Sequence, residues 1–387
     1  MITYEIWGKV RQFLAKSGIA CEELLWTISG GKAPKALFSE RANPEKINTS
    51  VKVLRSDSYS TDIAKFDKDG NISDEDFVIL TSTDFHLDED PDLNAKTIGN
   101  FVRQIKDNKP DLIVLTGDII LSKYQQVDAI KFAKMMEKLG IYWTAVFGNH
   151  EVREEKGFYK WLLLKSFSGY EHCLVKHGPE DLFGYGNHTI NIIGKEGKLR
   201  KTLFMFDSGR DITPSTRAEY GIPEEQRGYD FLKKEQIAFY ENEIKRLREK
   251  YGEVKSFMYM HIPLCEYREI FDGSEKEGFV PSGKGKLLYG RMYESVGCSS
   301  YNSGMFDKII ELGSTQAVYS GHDHVNDWAA EYKGVYLVYN QAANYTEYHL
   351  GHKTDLPESE WMQGVTLTRI HSDGSFDLVQ SLNSKYL

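Results

Sequence analysis

The sequence predicts an α/β fold, on three observations. Short apolar runs of strand length alternate with longer stretches whose apolar residues recur at helical spacing. The runs Phe77-Val78-Ile79-Leu80-Thr81 and Leu112-Ile113-Val114-Leu115 flank a helix-length segment, the β-α-β arrangement of a parallel sheet. Each of several strand-like runs also ends in a short polar motif, where the loops of an open α/β sheet carry chemistry.

Residues 1 to about 75 stand apart from this pattern. Ile6, Val10, Phe13 and Leu14 recur at helical spacing before Gly18, and a loop containing Gly30-Gly31-Lys32 follows. That Gly-Gly-Lys lacks the G-x-x-x-x-G-K-[ST] spacing of a phosphate loop and is rejected as one. The segment 1–75 reads as a helical and extended N-terminal elaboration, and the turn Asp67-Lys68-Asp69-Gly70 leads into a main domain over 76–387.

From there strand and helix alternate. The run beginning at Phe77 delivers Asp84-Phe85-His86. Ile98, Phe101, Val102 and Ile105 mark one face of a helix that stops before Pro110, and the wholly apolar strand from Leu112 delivers Gly117-Asp118. Val127, Ile130, Ala133, Met135 and Met136 give a further helix ended by Gly140, and 141–147 reads as a third strand that delivers Gly148-Asn149-His150-Glu151. Parallel strands joined by crossovers put these three ends along one sheet edge. Short antiparallel strands such as 202–206 follow, then a helix with Ile237, Tyr240, Ile244 and Leu247 on one face. Strand 256–260 ends at His261-Ile262-Pro263-Leu264. A Gly-rich stretch from about 272 to 300 has the length of a lid or a substrate-facing excursion. A helix over 304–312 precedes Ala317-Val318-Tyr319, which ends in Gly321-His322-Asp323-His324. Two hairpins close the chain, 335–339 with its partner and 365–370 turning at Asp373-Gly374 into 376–379.

Composition narrows the class. In 387 residues, 41% hydrophobic and 27% charged content is that of a globular chain able to bury a sizeable core. A formal net charge of −9 argues against nucleic-acid partners, and the acidic run Asp88-Glu89-Asp90 with Asp92 repels long polyanions. The basic run Lys245-Arg246-Leu247-Arg248 is interrupted by Glu243 and Glu249 and reads as a solvated helix face, so no membrane partner is expected. Four widely spaced cysteines without C-x-x-C spacing fit reduced thiols, and with no leader-like N-terminus the expected location is cytoplasmic.

The strand-end motifs differ in weight. Asp-x-His and Gly-Asp arise readily by chance, whereas Gly-Asn-His-Glu and Gly-His-Asp-His each arise in roughly fewer than one in a hundred chains of this composition. Their order, Asp84-x-His86, Gly117-Asp118, Gly148-Asn149-His150-Glu151, His261 and Gly321-His322-x-His324, resembles the calcineurin-like metallophosphoesterase superfamily over roughly residues 75 to 350. Glu266-Tyr267 after His261-Ile262-Pro263-Leu264, and Val325-Asn326-Asp327 after His324, are similar to the branch related to purple acid phosphatases.

That resemblance implies an α/β (α+β) fold of four layers, an αββα sandwich of two mixed β-sheets with the metal site at the strand ends. It implies two divalent or trivalent metal ions (Fe, Mn or Zn), one on Asp84, His86 and His324, the other on Asn149, His261 and His322, with Asp118 bridging. His150 is implied as the catalytic proton donor or transition-state stabiliser, alongside Asp118. In many relatives that histidine pairs with an acid three residues after the bridging aspartate; here the position is Leu121, which leaves Glu151 or a distant carboxylate as its partner. The purple enzymes carry a tyrosine ligand at that same position, so an uncoloured or weakly coloured protein is expected.

The chemistry follows from the residue types. Two ions about 3.5 Å apart share a carboxylate and a hydroxide and bring the pKa of bound water toward neutrality. Two carboxylates and a hydroxide leave the cluster net positive, so it attracts phosphate although the chain is acidic, and neutral Asn149 preserves that attraction. The expected activity is metal-dependent hydrolysis of phosphomonoesters by attack of the bridging hydroxide on phosphorus, the substrate being a phosphorylated small molecule or a phosphoprotein. A phosphodiesterase or nucleotide pyrophosphohydrolase is the alternative, and a non-catalytic scaffold of the same fold is a third reading. Arg153, Arg210 and Arg268 lie near the motifs and are candidates to hold a phosphate bidentately.

Overall fold

The computed structural model describes residues 45–47, 49–152 and 159–387. The helix expected over Ile6 to Leu14, the Gly30-Gly31-Lys32 loop and Arg153 lie outside the described residues.

Strand Phe77–Ser82 is the middle of a five-stranded sheet whose order is Phe376–Leu382, Gly364–Ile370, Phe77–Ser82, Leu112–Leu115 and Trp143–Ala145. The last three run parallel, as the crossovers require, and the closing hairpin adds two antiparallel strands at the other side. Trp143–Ala145 is shorter than the apolar run 141–147, because the backbone leaves the ladder to begin the loop that carries Gly148.

The second sheet has nine strands in the order Val51–Ser56, Ser60–Lys65, His188–Ile193, Leu199–Met205, Ser256–Tyr259, Thr315–Ser320, Val335–Tyr339, Ala329–Tyr332 and Lys286–Tyr289. Ser256–Tyr259 is parallel to both Leu199–Met205 and Thr315–Ser320. The strand that leads to His261 and the one that leads to His322 therefore end side by side. Residues 51–65, grouped with the N-terminal elaboration in the sequence reading, supply the two strands at one edge of this sheet. The stretch 272–300 is not a free lid: Phe271–Ser274 and Gly278–Pro281 form a hairpin and Lys286–Tyr289 pairs with Ala329–Tyr332. Phe279 and Leu287 pack on the core, an anchorage that a mobile lid lacks.

Three apolar cores separate four layers. Ile79, Leu112 and Val114 meet Ile190, Leu203, Phe257 and Tyr319 between the two sheets. Leu80, Ile113 and Leu115 face the other way, against Phe101 and Ile105 of helix Pro91–Asn108 and Phe132 and Met136 of helix Gln125–Leu139. On the far side Phe204, Met258 and Val318 pack under Tyr240, Ile244 and Leu247 of helix Lys234–Tyr251 and Met305, Phe306 and Ile309 of helix Met305–Leu312. A strand buried on both faces has to be apolar at every position, and this is why Leu112–Leu115 shows no alternation. The result is the αββα sandwich of two mixed sheets. Among the described residues no helix is long and apolar enough to cross a membrane.

Candidate metal centre

The ends of the parallel strands from both sheets meet at one place, and their loops are laced together by backbone hydrogen bonds. Asp84 N donates to the Gly117 carbonyl and His86 N to the Asp118 carbonyl, each at 3.0 Å, and Gly321 N donates to the His261 carbonyl at 3.1 Å. Asp84, His86, Asp118 and His322 all adopt left-handed backbone, with φ of 51°, 44°, 51° and 81°. Non-glycine residues held there cost of order 1 kcal/mol each or more, and such strain gathers where a structure over-determines a functional geometry.

The motif glycines have a steric role. A Cβ on Gly148 would sit 2.1 Å from Asp118 Oδ1, and one on Gly321 would sit 2.0 Å from Thr83 Oγ1 and 2.7 Å from Asp84 Oδ2. Each carboxylate therefore rests against a neighbouring loop at a distance that only glycine permits.

Two buried groups of ligand atoms result, Asp84 with His86 and His324, and Asp118 with His261 and His322, the atoms within each lying within 4.8 Å of one another. Asp118 Oδ2 joins them: it is 3.1 Å from His261 Nε2 in its own group and 3.7 Å from His86 Nε2 in the other. Asn149 Oδ1 lies 2.9 Å from His261 Nε2, and His322 Nδ1 lies 3.2 Å from the same nitrogen. Tautomers are set from behind. His261 Nδ1 donates to the Thr116 carbonyl at 2.7 Å and His324 Nδ1 to the Tyr348 carbonyl at 2.9 Å, which turns both Nε2 atoms inward. Burial pushes the His322 imidazole down to about 3, so it holds a free lone pair at neutral pH. Burial opposes ionisation of Asp84, but the imidazoles of His324 and His86, each with Nε2 3.5 Å from Oδ1, outweigh it and hold the carboxyl well below its usual range.

The residues fit a pair of ions. Asp84 Oδ1 and both nitrogens of His86 are buried without any hydrogen-bond partner, and orphaned polar atoms of that kind are costly unless something else occupies them. Carboxylate, amide oxygen and imidazole form a donor set suited to iron, manganese or zinc.

The sequence model of the family described as "Calcineurin-like phosphoesterase" matches residues 77–326, the span that contains every residue of both groups. The chain belongs to the calcineurin-like phosphoesterase family. Among its relatives, "Probable inactive purple acid phosphatase 14" of Arabidopsis thaliana is 30% identical over 281 residues, covering 66% of this chain and 64% of that one. "Probable inactive purple acid phosphatase 29" of the same plant is 30% identical over 268 residues, covering 64% and 62%. The chain thus spans somewhat less than two thirds of the length of the curated relatives it matches. A dimetal phosphatase from Danio rerio aligns over 79% of this chain and 96% of its own with 11% identity and a TM-score of 0.49.

Around the two ligand groups the structure bears on several sequence expectations. Glu151 does not partner His150. It is buried, and its carboxylate accepts from the backbone N–H of Asp118 at 2.9 Å, of Ile119 at 2.5 Å and of Gly148 at 2.5 Å, so it clamps two ligand-bearing loops from below. Burial, with repulsion from Asp118 added, pushes its carboxyl up to about 7. Asp118 Oδ2 lies 4.0 Å from His150 Nε2, and the His150 ring stands edge-on to His86 at 5.1 Å. With 42% of its side chain exposed, His150 sits at the rim.

Arg210 and Arg268 both hold backbone carbonyls. Arg210 donates to the Val152 carbonyl at 2.9 Å and pairs with Asp211, and Arg268 donates to the Cys298 carbonyl at 3.2 Å. Supporting residues without a motif of their own were not foreseen: Thr83 Oγ1 donates to Asp84 Oδ2 at 2.7 Å, and Asn344 N donates to the Asp84 carbonyl at 3.1 Å. Tyr229 also stands perpendicular to His322 with ring centroids 4.2 Å apart, and Tyr348 stacks on His324 at 4.2 Å. Only their place in the fold reveals these aromatics, since neither lies in a motif segment.

Proposed function

We propose that this chain is a metal-dependent phosphohydrolase that cleaves phosphomonoesters. The observation that carries the reading is the convergence of Asp84, His86, Asn149, His261, His322 and His324 around a single oxygen-bearing hub, Asp118. A bound pair of iron, manganese or zinc ions would supply a hydroxide nucleophile near neutral pH and positive charge against the phosphoryl oxygens. Asp118, whose Oδ2 lies between the two groups, would serve both. His150 stands at the open side, where its imidazole gives a proton to the departing oxygen or stabilises the charge that builds there. The buried walls exclude competing water from the ligand set, and the partly exposed rim leaves a path for a phosphorylated small molecule or a phosphorylated side chain.

Phosphodiester or nucleotide pyrophosphate hydrolysis is the second reading, since the same pair of ions serves either ester. A non-catalytic role is the third, and it draws support from the word "inactive" in the names of the plant relatives. Against it, all seven positions here carry metal-binding side chains. We place the working compartment in the cytoplasm, a reading supported by the free thiols of Cys173, Cys265 and Cys298.

Hydrolysis of p-nitrophenyl phosphate beside bis(p-nitrophenyl) phosphate, with iron, manganese or zinc added, tests the proposal. Faster release from the monoester is expected, with at least a hundredfold loss in Asp118→Asn and His322→Ala. Faster release from the diester would favour the second reading. A metal-loaded but inert wild-type protein would favour the third, and full activity in both variants would end the proposal.

A further inference from the structure

Four residues after His261 the chain sets Cys265 against Cys298, a pair of free thiols outside both ligand groups. We propose that the pair is a redox modification site: peroxide oxidises Cys265, Cys298 closes on it to form a disulfide, and the crosslink loosens the ion held by Asn149, His261 and His322. The effect on that ion rests on the two-ion reading of the centre; the disulfide itself does not.

Three observations carry this. The two thiols are hydrogen-bonded to each other, and the Cys265 sulfur also lies 3.4 Å from the Ser299 carbonyl oxygen and 3.7 Å from that of Tyr301. Arg268 Nη2 donates to the Cys298 carbonyl at 3.2 Å, which pins the same two segments together. The thiols also differ in access. Cys265 is half-buried and lines, with Ser299 and Tyr301, an open cavity of about 20 Å³, room for a molecule of about water's size. Cys298 is 4% exposed, so an oxidant meets Cys265 first. The hydrogen bond from Cys298 lowers the Cys265 thiol from its ordinary range and so favours the reactive thiolate, whereas burial pushes the Cys173 thiol up to about 12. Finally, Cys298 follows a residue that touches the centre. Gly297 N donates to Asp323 Oδ2 at 2.9 Å, and a Cβ on Gly297 would lie 2.9 Å from His322 Nε2. The pair therefore bridges the segment that follows His261 and the segment that backs His322.

The Cys265 thiolate attacks one peroxide oxygen: an S–O bond forms, the O–O bond breaks, and the departing oxygen leaves as water with the proton that the thiol gave up. The Cys298 sulfur then attacks the sulfur of the Cys265 sulfenic acid. The S–S bond forms, the S–O bond breaks, and a second water carries away the sulfenic hydroxyl with the Cys298 proton. Two thiols have lost two electrons to one peroxide, and a reductant reverses the bond. A disulfide holds its sulfurs at about 2.05 Å, well inside the contact of two hydrogen-bonded thiols. Its closure pulls on a segment seated directly against His322 and Asp323, so the His322 imidazole shifts from the place it shares with His261.

Treating the reduced full chain with a small excess of hydrogen peroxide, then mapping its peptides under non-reducing conditions, tests the site without any variant having to fold. A disulfide between Cys265 and Cys298 is expected, with Cys21 and Cys173 still thiols. In Cys298→Ser, dimedone should trap a sulfenic acid on Cys265, and in Cys265→Ser residue Cys298 should stay reduced. Once peroxide is removed, calorimetric titration with manganese should show the oxidised wild type binding at least fivefold more weakly than the reduced protein. A phosphine reductant should restore the affinity, and peroxide should leave the affinity of both serine variants unchanged. Absence of the bond between Cys265 and Cys298, or a disulfide to Cys21 or Cys173 in its place, would overturn the site. Equal manganese affinity of the two wild-type forms would overturn its control of the centre. A reduced protein that binds no ion would sink the two-ion reading and that control with it, while the peptide map still decides the disulfide.

Discussion

Replacing Glu151 by alanine removes the acceptor of the three closest of four buried backbone donors, the N–H groups of Asp118, Ile119 and Gly148, with Ile120 N farther off at 3.4 Å. A buried donor left unsatisfied costs about 1–3 kcal/mol, and three of them set an upper range near 9 kcal/mol. Two effects reduce it: water enters the space the side chain leaves, and the variant no longer buries a carboxyl that burial, with repulsion from Asp118 added, already pushes up to about 7. A net loss of about 3–5 kcal/mol remains, the range found when one partner of a buried charged network is deleted. For a chain of this length that corresponds to a fall in melting temperature of about 5 °C. Thermal denaturation with chelator present isolates this stability term from metal linkage. A separate titration should show metal affinity reduced at least tenfold, because the Asp118 and Gly148 loops have lost their common anchor. An unchanged melting temperature and unchanged metal affinity together would refute the clamp.

Three other outcomes follow from the same geometry. Gly321→Ala drives a Cβ to within 2.0 Å of Thr83 Oγ1 and 2.7 Å of Asp84 Oδ2, so it should retain the far-ultraviolet circular dichroism of the wild type yet bind metal at least tenfold more weakly; equal affinity would remove the close-approach argument. His188 is fully buried between Thr144 Oγ1 and the Gly186 carbonyl, and burial pushes its imidazole down to about 4. The unfolded chain takes up that proton first, so stability is lost as pH falls from about 6.5 toward 4, by up to about 3 kcal/mol. The advantage of wild type over His188→Asn should therefore shrink over that window in urea titrations, whereas a constant difference would contradict it. Loaded with ferric iron the protein should show no intense band in the purple region, since Leu121 occupies the position of the tyrosine ligand; such a band would reveal a tyrosine on the metal.

The seven residues that converge here were legible in the sequence because metal chemistry would restrict each to a few residue types and the fold restricts each to a strand end. The three parallel strands of the smaller sheet were legible for a related reason: burial on both faces leaves no choice but apolar residues, as at Leu112–Leu115. What escaped was held by single contacts. Glu151 reads as a neighbour of His150 along the chain, and only the closeness of the Asp118 and Gly148 loops turns its carboxylate to the backbone. Thr83 and Asn344 are ordinary polar residues until the loops close on them. Strand Val51–Ser56 is exposed at all but its first residue, so it lacks the alternation that marks a half-buried strand. The glycines around 273 to 290 suggested a loop, yet Gly273 and Gly290 sit against opposing backbone, where a Cβ would come within 2.1 Å of the Gly278 carbonyl oxygen and 2.3 Å of the Asp327 carbonyl oxygen. They are glycines of close strand contact.

The most direct test of the central claim is the number of metal ions bound per chain, measured by elemental analysis after saturation with iron, manganese or zinc and removal of free ion. Two per chain for the wild type is predicted, with the second lost or both weakened in Asp118→Asn, whose side chain lies between the two groups. A wild-type protein that retains no ion at saturation, or an Asp118→Asn protein that retains two with undiminished affinity, would contradict it.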